Sequence, residues 1–509
     1  MEMEMAQGLM VGLAGALDPN NLLACFLGVL WGTLVGVLPG IGPVGGLVLL
    51  LPITYRMDVT AAMVMMAGIY YGVMYGGSTT SILASIPGEV ASVVTCLDGY
   101  QMARKGRAGP ALAIAAIASF VAGTISVIGL TLLAPPLVSV SLSFGSPEFF
   151  ALMFLGLSMV SYLSGRSMAK GLMMALFGLM IGTVGVDLIT GVHRYTFGSL
   201  VLMSGIDLVP VAIGLFGIGE VLFCLESDLK HDVLRANLFD FRAFMPNTEE
   251  FRRATPAMLR GSVLGFFVGI LPGAAAVVAS FMAYAVEKRL SPHPERFGTG
   301  EIEGIAGPEA ANNSATGGAM IPLLALGVPY NVVTALMLNA MIVQGVHPSP
   351  LLMQQQPEFF WTIVASMYVG NAMLLVLNLP LVGFWASLLR IPFQYFFPLI
   401  LLFCATGVYA VNYKMIDLQM MVLFGVLGYF FKKGDYPAAP VLLGLVLGPL
   451  FEKALGQSMI IARGDATIFL TRPISATILT IAIILILTPL VRWLMGRRDS
   501  DFIPKGQES

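Results

Sequence analysis

Long apolar runs, spaced over nearly the whole chain and divided by short polar stretches, constrain this sequence more than any other feature. No Lys or Arg occurs between Arg296 and Arg390. The apolar segments lie at approximately 21–38, 43–54, 59–82, 111–134, 147–163, 169–190, 199–224, 258–286, 314–345, 358–387, 393–412, 417–431, 436–451 and 474–495. A helix needs about 20 apolar residues to cross the hydrocarbon core, fewer where it is interrupted. Some segments are too short or too interrupted to cross simply, so about ten to twelve crossings are expected. Longer polar stretches fall at 98–110, 225–257 and 287–310, and none is large enough for a soluble domain. Only 11% of residues are charged, against about 25% in a soluble protein. With a mean hydropathy of +0.86, the chain has too little polar surface to cover a water-soluble body. Strand alternation is absent, which argues against a lipid-facing barrel.

A net charge of -2 gives no electrostatic reason to expect nucleic acid as a partner. Cys25, Cys96, Cys224 and Cys404 are far apart, fit no disulfide or zinc pattern, and read as apolar packing residues. The acidic N-terminus has no Lys or Arg before Arg56, so it lacks the basic start of a cleaved signal peptide and the first segment is expected to be retained. The chain has no G-x-x-x-x-G-K-[ST], no H-E-x-x-H and no G-x-S-x-G. Those absences remove P-loop ATP binding and two common hydrolase signatures.

An internal repeat is visible. Residues 32–40 read GTLVGVLPG and residues 265–273 read GFFVGILPG, identical at six of nine positions. Downstream, each half carries a Gly- and Ser/Thr-rich apolar stretch, YGGSTTSILASIPG at 75–88 and NNSATGGAMIPLLALGVP at 312–329. Matching the glycines and matching the prolines give different registers for this second pair. Positive charge then flips between equivalent loops. Arg104, Lys105 and Arg107 follow the second element of the first half, and its counterpart near 345–357 has none. Lys288, Arg289 and Arg296 follow the second L-P-G, where the first half has only Arg56. Lys and Arg concentrate on the cytoplasmic side, so this reversal is what two oppositely oriented repeats produce. The alternation puts the N-terminus outside, with the 225–257 loop, Lys432, Lys433, Arg497 and Arg498 inside. Lys453, Arg463 and Arg472 fall on the outer side and fit less well.

The expected fold is therefore all-α: a polytopic membrane helix bundle with two inverted repeats and broken or re-entrant helices. The first inverted repeat with its following helices takes 1–224, a cytoplasmic linker loop 225–257, the second inverted repeat with its following helices 258–496, and a cytoplasmic tail 497–509.

Interrupted helices at matching positions of two repeats are the best sequence-level pointer to a transport site. Helix N-termini there offer N–H groups to an anion, and freed carbonyls can hold a cation. The candidate substrate-binding residues are Gly40, Gly76, Gly77, Ser78, Thr79, Thr80, Ser81 and Pro87 in the first half. Gly273, Asn312, Asn313, Ser314, Thr316, Gly317 and Gly318 are their counterparts in the second, with Asn312 and Asn313 also placed to hold sodium. The competing reading is packing: glycines that let helices approach, and hydroxyls bonded one turn back. Pro39-Gly40 and Pro272-Gly273 either line the site or only turn the chain.

Among the acidic residues, Asp98, Glu148 and Glu309 lie near expected segment ends, where interfacial solvation explains them. Asp187 and Asp207 lie deeper and are candidates for carrying protons or pairing with cations. His193, His231, His293 and His347 fall in loops, and Arg166 with Lys170 reads as a cytoplasmic anchor.

LPGIGP (38–43), YGGSTTSILASIPGE (75–89), DGYQMARKGRAGPAL (98–112) and PEAANNSATGGAMIPLLALGVP (308–329) occur in this order. Together they resemble the large membrane subunit of the tripartite tricarboxylate transporters, over about residues 20 to 490. One departure is Tyr330, where a glycine is expected after the proline. The resemblance implies a secondary transporter of the bacterial inner membrane that imports tricarboxylates or other small carboxylates. It implies a small membrane subunit and a periplasmic solute-binding protein as partners, a sodium or proton gradient as the drive, and no cofactor. A homodimer and alternating access around the two interrupted segments follow by analogy with inverted-repeat carriers. The alternatives are a passive channel and an intramembrane enzyme. The enzyme reading lacks a His or Lys beside the candidate hydroxyls to activate them.

Overall fold

The computed structural model describes residues 2–38, 40–159, 167–187, 189–226, 244–273, 275–389, 391 and 395–494. Arg166, His231 and the expected tail with Arg497 and Arg498 lie outside them.

The first half runs α1 (Glu2–Ala16), α2 (Pro19–Val37), α3 (Gly42–Thr54), α4 (Val59–Ala84), α5 (Val93–Arg104) and α6 (Ala108–Ser141). Next come α7 (Ser146–Met159), α8 (Met168–Gly182) and α9 (Leu208–Glu226), the last with a π turn at Gly214–Ile218. The second half opens with α10 (Thr248–Gly269), α11 (Ala275–Leu290), α12 (Glu303–Ile321) and α13 (Val332–Val343). It continues through α14 (Pro357–Asn378), α15 (Val382–Leu388), α16 (Phe397–Asn412), α17 (Met415–Lys433), α18 (Ala439–Ile461) and α19 (Pro473–Leu494). Among the described residues, seven helices are long and apolar enough to cross a membrane: α2, α4, α6, α9, α14, α17 and α18. Among the described residues the one sheet is a hairpin of β1 (Gly185–Val186) and β2 (His193–Arg194).

Local sequence sets most of the helix starts. Asp18 and Asp58 cap α2 and α4 by accepting from the N–H groups of Asn20 (3.0 Å) and Thr60 (2.9 Å). Asn247 and Glu250 form a reciprocal capping box at α10. That start lies inside 225–257, so residues 248–257 are helical rather than part of a linker loop. Three other expectations need correction. The L-P-G turn at 271–273 divides the segment expected over 258–286. The segment expected over 314–345 is split at 327–331 between α12 and α13. Residues 93–104, partly assigned to a polar loop, are helical, as is α1.

The same packing recurs in both halves. An added Cβ on Gly28, Gly32 or Gly36 of α2 would strike the carbonyl oxygens of Met65, Ile69 and Val73 on α4. On Gly261, Gly265 or Gly269 of α10 it would strike those of Gly307, Ala311 and Ala315 on α12. The two ladders correspond residue by residue, with each glycine one turn from the next. Lipid supplies no hydrophobic drive between helices, so close backbone contact through small residues holds such pairs. The correspondence also fixes the ambiguous register: Gly76 aligns with Gly318, and Pro87 with Pro329. Beyond it, Ser85 and Gly327 both end their helices in left-handed backbone (φ 57° and 69°), and Glu89 and Asn331 both cap the next helix. Tyr330 thus occupies the place of Gly88 without altering the connection.

The halves pack together along α12, which lies against α4, α5 and α6. Asn371 of α14 donates to the Phe120 carbonyl (2.8 Å) and accepts from the Tyr75 hydroxyl (2.7 Å), linking three helices. Asp98, midway along α5, is fully buried. It accepts from the backbone N–H groups of Gly298 (2.9 Å), Gly300 (2.7 Å) and Glu301 (2.7 Å) and from the Tyr284 hydroxyl (2.9 Å). Lys105 donates to the Thr299 carbonyl at 2.6 Å. The loop after α5 therefore sits beside the loop after α11. At α3, the Thr54 carbonyl accepts from Gln344 (3.0 Å) and the Tyr55 hydroxyl from Asn339 (2.9 Å). Loops that occupy different places in the two halves are neighbours.

Gly265→Ala pushes a methyl into the Ala311 carbonyl, so the detergent-purified protein should lose about 1–3 kcal/mol in thermal unfolding. Asp98→Ala strands three amide donors, at a cost on the order of 3 kcal/mol. Asp98→Asn, which keeps an acceptor oxygen, should fall between that variant and the wild type in the same melt.

Candidate functional site

The Gly- and hydroxyl-rich stretches do not lie at helix breaks. Gly76, Gly77, Ser78, Thr79, Thr80 and Ser81 are buried inside the continuous helix α4, and Asn312, Asn313, Ser314, Thr316, Gly317 and Gly318 are buried inside α12. The chain leaves helical geometry later, at Ser85 and, after a π turn over Pro322–Leu326, at Gly327. Glycine placed mid-helix weakens it only modestly, and here the glycines serve contact with neighbouring backbones.

What these helices bring together is a carboxylate. Glu309 is fully buried. Its Oε2 accepts from Ser78 Oγ at 2.6 Å and from the Asn312 amide at 3.4 Å, and its Oε1 accepts from Thr95 Oγ1. Asn313, one helical turn on, donates to the Glu309 carbonyl (3.0 Å), to Asn312 Oδ1 (2.6 Å) and to Ser119 Oγ of α6 (2.8 Å). The two singled-out stretches meet here, enclosed by protein.

A second carboxyl joins them. Glu89 is 6% exposed, and its Oε2 accepts from the Ala91 N–H at 2.8 Å. Its side chain lies against Gly77, where an added Cβ would sit 3.0 Å from Glu89 Cγ. Ser81 donates to Ser92 Oγ (2.8 Å), which in turn bonds the Glu89 carbonyl (2.8 Å). Two oxygens of this cluster have no partner, Glu89 Oε1 and Asn313 Oδ1.

The remaining candidates divide differently. Thr80 donates to the Val37 carbonyl at 2.5 Å and ties α4 to the end of α2. Ser314 bonds the Ser262 carbonyl (2.6 Å) and Thr316 the Asn313 carbonyl (2.7 Å). Gly317 meets Ser126, and Gly318 meets the Phe266 carbonyl. Thr80, Ser314, Gly317 and Gly318 serve helix packing, and Thr316 bonds within its own helix. Pro87 is half-buried in the connection before Glu89. Gly40 (φ 97°) lies beside Glu220 and Cys224, away from the cluster. Gly273 (φ 124°) donates to the Tyr330 carbonyl at 2.9 Å and so touches the second connection.

The acidic residues reverse their expected order. Asp98, Glu148 and Glu309, read as solvated at segment ends, are buried; Glu148 pairs with Arg472 at 2.6 Å. Asp187, read as deep, is in the hairpin connection, where the Ile189 N–H, then the Thr190 hydroxyl, and also Arg194 hold its carboxyl below the usual range. Asp207 caps α9 through the Val209 N–H at 2.9 Å. Both line a cavity of about 720 Å³, together with Asn339, Asn412, Lys414 and Glu452. None of the candidate substrate residues lines it. Lys170 bonds the Gly434 carbonyl at 2.6 Å and lies over Tyr436.

Thr95, Ser119 and Glu89 were not singled out as site residues, and Glu309 was set aside. One signal was available: Glu309 precedes Asn312 by three and Asn313 by four, the spacing that puts all three on one helix face.

A family model described as the tripartite tricarboxylate transporter TctA family matches residues 22–443. An uncharacterized 52.8 kDa protein in the TAR-I ttuC' 3' region of Agrobacterium vitis is 47% identical over 501 residues, covering 98% of this chain and 99% of that protein. An uncharacterized protein in the TAR-II ttuC' 3' region of the same organism is 46% identical over 239 residues, covering 47% of this chain and 99% of its own length. No solved structure matches. Matched over most of its length, this multi-pass helical membrane protein belongs to the tripartite tricarboxylate transporter TctA family.

Proposed function

We propose that the chain is the large membrane subunit of a binding-protein-dependent secondary transporter. It imports tricarboxylates or other small carboxylates across a bacterial inner membrane, driven by a sodium or proton gradient. A small membrane subunit and a periplasmic solute-binding protein complete the system, as the family implies. The observation that carries the reading is the meeting of α4, α5 and α12 around Glu309, in the interior of a bundle with spanning helices. An ionisable group buried among membrane helices is expensive and marks ion or substrate pathways.

The two halves act as repeats of opposite orientation. Their glycine ladders correspond one to one. The crosswise adjacency of the 99–110 loop with 298–300, and of 54–55 with 339–344, is what inversion produces. The basic end then faces the cytoplasm and the 720 Å³ cavity faces the periplasm, with the N-terminus outside. Substrate and ion meet between the halves, and alternating access moves one helix group against the other. The Ser78 and Thr95 hydroxyls both donate to a Glu309 carboxylate enclosed by protein, with no His or Lys partner among the described residues, which favours a carrier over an enzyme.

Counterflow in proteoliposomes holding the full trio tests this. Unlabelled citrate or another small carboxylate inside should accelerate entry of the labelled compound. Flux without trans-acceleration indicates a channel, and chemical conversion an enzyme. Topology is checked separately with single cysteines at Arg104 and Gln355 in a chain whose four native cysteines are replaced. An impermeant maleimide added to spheroplasts should label the second and spare the first; labelling of both, or the reverse, defeats the inverted arrangement.

A further inference from the structure

Buried acids elsewhere among the described residues are matched or border the 720 Å³ cavity, as Asp417 does beside Asn412. Glu148 pairs with Arg472, Glu287 with Arg260, Glu301 and Glu303 with Arg253, and Asp98 is met by three amide N–H groups. Glu309 and Glu89 are different: neither takes part in any ion pair among the described residues. The groups that reach Glu309 are all neutral donors, namely Ser78, Thr95 and Asn312. Neutral donors orient and stabilise a carboxylate without cancelling its charge, and an uncompensated charge in a membrane interior is costly.

Of the four unpartnered buried side-chain oxygens among the described residues, two belong to this cluster, the others being those of Tyr71 and Asn378. Glu89 Oε1 and Asn313 Oδ1 have no donor, and their residues are 6% and 2% exposed. Buried polar atoms are nearly always satisfied, so each exception calls for an occupant. Flipping the Asn313 amide does not help, because it would set the amide oxygen against two other oxygens, the Glu309 carbonyl and Asn312 Oδ1. A proton neutralises a carboxylate, but an amide oxygen does not take one up near neutral pH. A hard metal cation satisfies carboxylate, amide and hydroxyl oxygens together. Glu89 already spends its other oxygen on the Ala91 N–H at a helix start, which offsets part of its charge. A single proton shared between the two neighbouring carboxyl groups leaves one negative charge, which suits a monovalent ion.

Building on the carrier reading, we propose that Glu309, Glu89 and Asn313, with the hydroxyls of Ser78 and Thr95, hold the coupling ion, a dehydrated monovalent metal cation of the sodium class. The ion links α12 of one half to α4 and the Glu89 connection of the other. Its binding therefore stabilises the closed contact between halves.

The test uses the purified full-length chain in detergent. Sodium chloride is titrated against choline chloride at constant ionic strength, with unfolding temperature and radioactive sodium binding as readouts. Wild type should bind sodium and melt higher with it, and not with choline. Glu309→Gln should need at least tenfold more sodium for the same rise, with smaller losses for Glu89→Gln and Asn313→Leu. If Glu309→Gln does not fold, the other two variants decide. Sodium binding unchanged in the variants, a wild type that responds only to calcium or magnesium, or one that responds only to pH would overturn the site. Counterflow separates the two claims. A wild type that exchanges carboxylate yet ignores sodium defeats the site alone, and one that binds sodium yet exchanges nothing defeats the carrier reading alone.

Discussion

Backbone-to-backbone contact through glycine is the interaction on which the rest of this molecule depends. In lipid, a leucine gains little by touching another leucine rather than an acyl chain. Helices instead need surfaces smooth enough for dispersion and weak Cα–H···O contacts to accumulate. Gly28, Gly32 and Gly36 provide that surface against α4, and Gly261, Gly265 and Gly269 provide it against α12. Each pair becomes a rigid two-helix unit. The polar groups at the seam keep their places because these units leave little room to slide.

That rigidity makes a buried carboxylate possible. Glu309 projects from α12 into a shell from three other helices, α4 with Ser78, α5 with Thr95 and, through Asn313, α6 with Ser119. The Asp98 clamp works at the basic end on the same principle, presenting one carboxylate to a row of backbone amides. The difference is compensation. Three N–H dipoles aimed at one oxygen pair absorb the charge of Asp98, whereas Glu309 meets only side-chain hydroxyls and an amide, and Glu89 a single backbone N–H.

The helical class, the multi-pass character and the family were all legible in the chain, because hydrophobic period and glycine punctuation are local properties; against about ten to twelve expected crossings, seven helices among the described residues are long and apolar enough to span. Position along that pattern misled in two ways. Glycine and hydroxyl clusters looked like breaks, since both loosen an isolated helix; here α4 and α12 run through them because neighbouring backbones occupy the space a side chain would fill. Acidic residues near expected segment ends looked solvated, but Asp98 and Glu309 lie within α5 and α12, against the opposite half. Asp187 erred the other way. It sits in an apolar run that turns out to be a hairpin connection rather than a helix.

The sequence by itself determined that this is a multi-pass helical membrane protein with a recurring L-P-G segment, since composition and spacing allow little else in lipid. Only the tertiary structure decided the register of the second element, the neighbours of each loop, and which carboxyl groups are sealed away. Glu309 and Ser78 are 231 residues apart in the chain. Whether a charge is solvated, paired or stranded depends on what the rest of the fold places around it, and no local window contains that information.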